Sequence, residues 1–256
     1  MNNDLKARLR RGEKLIGTMI TLFDNAQLAR VLKECGFDFF IIDCEHGWLD
    51  FPAVADLIAM ARLAGIAPMV RIAEIRREPV LKYMEMGAAG LLLPNTNSAE
   101  QARLLVEYSK YAPEGDRGVS LLRAHTDFRK VDDPAAYMRR ANEQTVLMAQ
   151  IESVTALKNC EAILAVEGID AAFIGPSDLS QSMGILGQTA HPDFIAAVDR
   201  VIEAARGRGK FCGIHITGEP EALAPWIAKG MRINLWSSDV LLVSSAAQAG
   251  LARLKG

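Results

Sequence analysis

Eight short apolar runs punctuate the chain: Ile16–Ile20, Phe37–Ile42, Ala67–Ile72, Gly90–Leu93, Val146–Ile151, Ala171–Ile174, Phe211–Ile214 and Ile233–Trp236. Each is apolar at consecutive positions rather than alternate ones, as strands buried on both faces of a parallel sheet are. Between the runs lie longer stretches of helical period with recognisable starts. Ser98 and Gln101 make an S-x-x-Q capping pattern, Asp50 precedes Phe51-Pro52, and Ser153 follows Ile151-Glu152. Strand then helix, eight times over, predicts a single α/β domain over residues 1–256 folded as a (β/α)₈ barrel of the TIM type. The runner-up, a doubly wound open sheet, usually carries a Gly-rich dinucleotide turn, and no G-x-G-x-x-G occurs. One connection is unusually long. The segment from Tyr111 to Thr145 holds Pro113-Glu114-Gly115, Arg117-Gly118 and an extra helix near Pro134–Ala141. Connections of that length tend to be lids or binding loops.

Composition narrows the function more than the fold. With 256 residues, half of them apolar, and a formal net charge of -2, the chain offers no electrostatic reason to expect nucleic acid or a membrane surface as partner. No apolar run approaches the roughly 20 residues of a membrane span. Four scattered cysteines (Cys35, Cys44, Cys160 and Cys212) form no C-x-x-C pair, so neither a disulfide framework nor a zinc site is expected, and a reducing cytoplasm is the simplest location. The start of the chain lacks the apolar core of a signal peptide. Its basic residues Arg8, Arg10, Arg11 and Lys14 are interrupted by Glu13 and preceded by Asp4, which reads as a solvated first helix rather than a transit peptide.

In a barrel the residues just beyond each strand form one rim, where active sites lie. Here that rim collects Asp43-Cys44-Glu45-His46-Gly47, Arg71, Gln150-Ile151-Glu152, Gly175-Pro176-Ser177-Asp178 and His215. Glu152 and Asp178 can supply hard oxygen ligands for a divalent ion such as Mg²⁺ or Mn²⁺ while leaving coordination positions open. Equally, Glu152 can pair with Arg71 while Asp178 caps a helix. Arg71 can stabilise charge developing on an enolate oxygen, or form a salt bridge to Asp43 or Glu85. His46 suits proton transfer near neutrality, oriented by Glu85 or Asp43. The amides of Ser177 and Asp178 can hold a carboxylate or simply close a turn. A Cys44–His46 nucleophile is disfavoured because neighbours on a strand face opposite ways. Imine-forming aldolases need a rim lysine; only Lys130, in the long loop, could serve, which favours a metal as the polarising agent.

These segments, in order from about Leu15 to the C-terminus, resemble the class II, metal-dependent pyruvate aldolases that act on 4-hydroxy-2-oxoheptanedioate, 2-keto-3-deoxy-rhamnonate and 5-keto-4-deoxy-glucarate. The resemblance rests on Ile42-Asp43-Cys44-Glu45-His46-Gly47, Pro68-Met69-Val70-Arg71-Ile72, Pro113-Glu114-Gly115-Asp116-Arg117-Gly118, Gln150-Ile151-Glu152-Ser153 and Gly175-Pro176-Ser177-Asp178. It implies a phosphoenolpyruvate/pyruvate-type barrel that cleaves a 4-hydroxy-2-oxo acid to pyruvate and an aldehyde, and runs the reverse addition. It implies His46 as base with Glu85 as its paired acid, Arg71 on the pyruvyl oxygen, and Glu152 and Asp178 on Mg²⁺, Mn²⁺ or Co²⁺. Gln150 and the Ser177 backbone would surround the pyruvyl carboxylate, and Arg117 or Arg123 would meet the distal end of the substrate. It also implies a homo-oligomer, a hexamer or trimer of dimers, with the apolar tail Val240–Leu254 exchanged between neighbours. The chain departs from the family pattern at Trp48-Leu49, Asn95, His215 and Trp236, where the acceptor aldehyde is expected. Two other readings are a CoA-ester lyase of related enolate chemistry, which needs a basic nucleotide-binding patch, and a barrel used only as a binding subunit.

Overall fold

A computed structural model describes residues 5–256; Asp4, part of the N-terminal reading, lies outside the described residues. The apolar runs become eight parallel strands that close in chain order into one barrel. They are β1 (Leu15–Ile20), β2 (Phe39–Asp43), β3 (Ala67–Arg71), β4 (Gly90–Leu93), β5 (Val146–Ile151), β6 (Ala171–Ile174), β7 (Phe211–Ile216) and β8 (Ile233–Ser238). The last two run past the apolar residues, into His215 and Ser237. The helices are α1 (Leu5–Arg10), α2 (Leu28–Glu34), α3 (Phe51–Ala64), α4 (Arg77–Met86), α5 (Ala99–Ser109), α6 (Pro134–Gln144), α7 (Val154–Leu164), α8 (Pro176–Ser182), α9 (Pro192–Gly207), α10 (Ala224–Ala228) and α11 (Asp239–Lys255). Among the described residues no helix is long and apolar enough to cross a membrane, and all four cysteines are free.

The caps read from the sequence start their helices. Asp50 accepts the Ala53 amide at 3.0 Å, Ser153 accepts that of Ala156 at 2.9 Å, and Ser98 and Gln101 close a capping box. Alternation along each strand divides the apolar side chains into two bodies. One, containing Phe40, Ile42, Val70, Leu91 and Ile174, lies between sheet and helices. The other, containing Leu15, Phe39, Ile41, Met69, Met148, Phe173 and Leu235, fills the bore. Gly17 is required there, because a Cβ at that position would sit 2.7 Å from the Phe39 ring. Inward positions turn polar toward the strand ends: Phe39 and Ile41 lead to Asp43, Met69 to Arg71, and Val146 and Met148 to Gln150. Hydrophobic filling below and polar groups above create a site with a floor.

The first helix is not solvated. Leu5 and Leu9 belong to the bore cluster and close the N-terminal end of the barrel. Buried Lys6 pairs with Asp170 at 2.6 Å and donates to the Thr145 carbonyl at 3.3 Å. At the other end Asp239 ties α11 to the loop after β1. Its carboxylate accepts the amides of Thr21 (3.1 Å), Leu22 (2.9 Å) and Phe23 (2.9 Å) and the Thr21 hydroxyl (2.8 Å).

These bonds hold the Asp239 carboxyl below its usual range although burial works against them. A depressed carboxyl contributes stability above the unfolded-state pKa, and that contribution is lost as pH falls through the folded value. Asp239→Ala should therefore cost about 1–3 kcal/mol at pH 7, since several partly buried donors lose one charged acceptor. Urea denaturation of both forms should show the difference shrinking below about pH 4.

Candidate active site

Asp43 ends β2 and Arg71 ends β3, and strand register sets them side by side. Arg71 Nε donates to Asp43 Oδ1 at 2.9 Å and Nη2 to Oδ2 at 2.6 Å, forming a buried two-pronged pair. Asp43 Oδ1 also accepts the backbone amides of Glu45 (3.0 Å) and His46 (3.3 Å). One carboxylate thus shapes the turn that carries the next two ionisable residues. Burial opposes its charge, but Arg71 and the two amides outweigh burial and hold Asp43 below the ordinary carboxylate range.

From this pair the contacts run along the rim. Arg71 Nη1 lies 3.3 Å from Glu45 Oε2, which lies 3.8 Å from His46 Nε2. Glu45 Oε1 accepts from Asn95 Nδ2 at 3.2 Å, and the Asn95 amide donates to Glu152 Oε1 at 2.5 Å. Asn95 does both from a left-handed backbone with φ of 48°, a conformation that asparagine tolerates better than most residues. Gln150 Nε2 donates to Glu152 Oε2, while Gln150 Oε1 is buried without a partner. Gly175 makes this approach possible, since a Cβ there would lie 2.4 Å from Glu152 Oε2. Pro176 then starts α8, whose first turn carries Ser177 and Asp178 at the surface.

Negative charge accumulates across this ring. Burial raises the Glu45 carboxyl, and Asp43 and Asp178 raise it further against Arg71 and His46. Burial also raises Glu152, joined by the charges of Glu45 and Asp178 and opposed by the Asn95 amide and Gln150. Asp178 therefore acts electrostatically on both acids, while Arg71 is the buried cation among them. His215, on β7, is held below its usual pKa by burial, with the Ser237 carbonyl pulling the other way. Its Nε2 lies 2.9 Å from that carbonyl, which assigns Nε2 as the protonated nitrogen of a neutral ring. Among the described residues no group of three or more His, Cys, Asp or Glu side chains is arranged to hold a metal ion. What the rim offers instead is Glu152, the nearby Asp178 and the unpartnered Gln150 Oε1, an oxygen donor set suited to a hard cation.

Asp43, His46, Arg71, Gln150, Glu152, Ser177, Asp178 and His215 thus meet at one rim. The structure does not bring Glu85, Arg117, Arg123 or Lys130 there. Glu85 lies near the end of α4, where its carbonyl faces His125 Nδ1 at 3.2 Å and its charge acts on Tyr111 and Arg117. Arg123 is exposed and donates to the neighbouring Leu122 carbonyl at 3.0 Å. Arg117 and Lys130 line a cleft at the opposite end of the barrel. The reason is connectivity: this long segment follows a helix, and helices return the chain to the N-terminal ends of the strands. Asp43 does not orient the His46 ring either, because its contact is with the His46 backbone; the acid beside the ring is Glu45. Trp236 packs in the layer between sheet and helices, stacked on Phe37, and so is not part of the bore. Burial pushes the Cys44 thiol up to about 11, which rules against a thiolate nucleophile. Sequence reading assigned no role to Glu45 and marked Asn95 only as a departure on the acceptor side, not as a contact of the two acids. Glu45 was visible inside Asp-x-Glu-His, but its side-chain direction depends on the turn made by Asp43.

Residues 19–246 match the family described as HpcH/HpaI aldolase/citrate lyase. The chain belongs to that family. It is 33% identical over 254 residues to a hydroxypyruvate/pyruvate aldolase of Roseobacter denitrificans, covering 99% of this chain and 97% of the relative. It is also 33% identical to a 2-dehydro-3,6-dideoxy-6-sulfogluconate aldolase of Pseudomonas putida, covering 97% and 95%. The crystal structure of an HpcH/HpaI aldolase from Desulfitobacterium hafniense DCB-2 superposes with a TM-score of 0.95 at 36% identity, covering 98% of this chain and 96% of that one. This HpcH/HpaI-family barrel is a carbon–carbon lyase of the aldolase type.

Asp43→Asn should leave Arg71 with Glu45 as its remaining contact carboxylate and lower stability by about 1–3 kcal/mol at pH 7. Because the Asp43 carboxyl is depressed, the wild type should lose this advantage as the pH drops below about 4, whereas the variant should not. Denaturant titrations at pH 7 and pH 3.5 measure both.

Proposed function

We propose that this aldolase cleaves 4-hydroxy-2-oxo acids to pyruvate and an aldehyde, and runs the reverse addition, with a divalent cation bound by Glu152 and Asp178. The observation that carries the reading is the pair of acids Glu45 and Glu152 beside Arg71 and Asp178, each raised first by burial and further by neighbouring carboxylates. Such a site favours a hard cation, and Gln150 Oε1 has no protein partner to compete for it. When bound, Mg²⁺, Mn²⁺ or Co²⁺ supplies Lewis-acid stabilisation of the charge that develops on the 2-oxo oxygen.

The chain's own groups do the rest. Arg71, fixed by Asp43, directs its guanidinium toward the same oxygen. Gln150 and the amides in the first turn of α8, at Ser177 and Asp178, receive the substrate carboxylate. His46 removes the 4-hydroxyl proton as the C3–C4 bond breaks, leaving an aldehyde and an enolate that is protonated at C3 to pyruvate. Its side chain is 68% exposed, so solvent can renew the proton. Neutral His215 lies at the inner wall near Arg71 and serves as a polar contact. Glu85 and Arg123 lie out of reach of the rim of their own chain, so a role for either runs through a neighbouring copy. Helix α11 favours such an assembly: only Asp239 on it is buried, and Val243 and Leu254 are 56% and 84% exposed. A hexamer or trimer of dimers that covers this helix, in a reducing cytoplasm, completes the reading. The two curated relatives named above carry different substrates in their names, and the exposed Trp48, two residues after His46, is placed to influence which aldehyde is accepted.

The test is proton exchange at the pyruvate methyl group, followed by NMR in D₂O after chelation. Exchange should need Mg²⁺ or Mn²⁺ and fall by about 10²-fold or more in Glu152→Gln and Asp178→Asn. Metal-independent exchange would overturn the scheme, whereas exchange that survives His46→Ala would remove only the assigned base. A second expectation follows from the raised acids. With folded pKa values above the unfolded ones, the metal-free protein loses stability as pH rises through the interval above about 4.3. A divalent ion should therefore raise the melting temperature more at pH 7.5 than at pH 5, and Glu152→Gln should abolish the difference.

A further inference from the structure

A cleft of about 610 Å³ lies away from the catalytic rim. Its wall includes Ala67, Pro68, Ala89 and Thr145, at or just before the starts of β3, β4 and β5, so it opens at the N-terminal end of the barrel. The long segment after α5, together with α6, forms its outer side. The charges on this wall are unequal. Arg62 is matched by Asp127 at 2.6 Å and Arg8 by Asp38 at 2.7 Å. Asp133 is occupied in capping α6. Among the described residues no ion pair is made by Arg117, Arg129, Lys130 or Arg140, which leaves Asp132 as the remaining acid of the wall.

Arg117 is the decisive one. It is 6% exposed, and its Nε and Nη2 are buried without hydrogen-bond partners. The guanidinium lies over the Tyr111 ring at 4.5 Å, so the ring covers a face and leaves the donor edge free. Glu85 acts on it only at longer range. Beside it, burial and Arg117 push His125 down to about 4, leaving a neutral ring that adds no competing charge. A buried guanidinium with unmet donors costs several kcal/mol, and an anion is the group that relieves that cost through paired, charge-assisted bonds.

We propose that this cleft is a second ligand site that binds a small polyanion, a phosphate- or carboxylate-bearing metabolite, with Arg117 as anchor and Arg129, Lys130 and Arg140 around it. The filled bore separates the site from the catalytic rim of its own chain, so a ligand here is not that rim's substrate. A cleft of this volume suits a molecule of metabolite size rather than a bare ion.

The experiment is titration calorimetry on the full-length protein at constant ionic strength, with pyrophosphate and citrate as probes and chloride as control. Saturable binding by pyrophosphate alone identifies the phosphate class, by citrate alone the carboxylate class, and by both the shared anion chemistry. Arg117→Gln should weaken that binding by about 10–100-fold, as loss of a charge-assisted pair does, and Arg117→Lys by less. Arg129→Gln and Arg140→Gln, at exposed positions, should each weaken it as well and keep the test valid should Arg117→Gln not fold. Asp178→Asn, at the far rim, should bind normally. Absence of saturable binding, binding indifferent to all three arginines, or binding lost in Asp178→Asn would each overturn the proposal.

Discussion

The buried pair between Asp43 and Arg71 is the constraint on which the catalytic rim is organised. It arises from register: the last residues of two adjacent parallel strands stand opposite each other inside a closed barrel. A pair of this kind contributes little net stability, because desolvation offsets most of the attraction. Its value is positional. Asp43 spends one oxygen on two consecutive amides, which shapes the turn so that Glu45 returns toward the same arginine. Arg71 and Glu45 are thereby placed by one carboxylate that makes no use of its charge in the proposed chemistry.

The rest of the barrel supports this arrangement by being graded. The lower bore is filled with large apolar side chains, with room made by residues such as Gly17. Above them the same inward positions carry ionisable groups. Low dielectric beneath and partial solvent above explain why burial heads the causes acting on Asp43, Glu45, Glu152 and His215 alike. What differs among the carboxyls is the partner: Arg71 outweighs burial for Asp43, whereas for Glu45 neither Arg71 nor His46, and for Glu152 neither the Asn95 amide nor Gln150, overcomes burial and the neighbouring acids. One environment thus produces a depressed and two raised carboxyls within a few residues, which is how a site separates roles among chemically similar groups.

Much of this was legible in the sequence. The strands were visible because burial on both faces demands continuous apolar runs. The rim followed because barrel topology sends every strand end to one face. Asp43, Arg71, Gln150, Glu152 and Asp178 could thus be placed together without coordinates. Asn95 could not, since its part depends on a left-handed backbone that no neighbouring residue announces. Glu85, Arg117 and Arg123 lie at the other end of their own chain, as their position late in a helix or after one already marked. The first helix was misread through its charges; Leu5 and Leu9, four apart, were the signal that it has a buried side.

That helix has a kinetic meaning as well. With Leu5 and Leu9 stoppering the bore, the barrel is a vessel with a single mouth, and both fragments of a cleaved molecule must pass through it. In the proposed chemistry the pyruvyl fragment beside Arg71 would lie deeper than the aldehyde, so it would leave second and, in the synthetic direction, arrive first. Order of arrival and departure is then imposed by the shape of the container, without a moving gate.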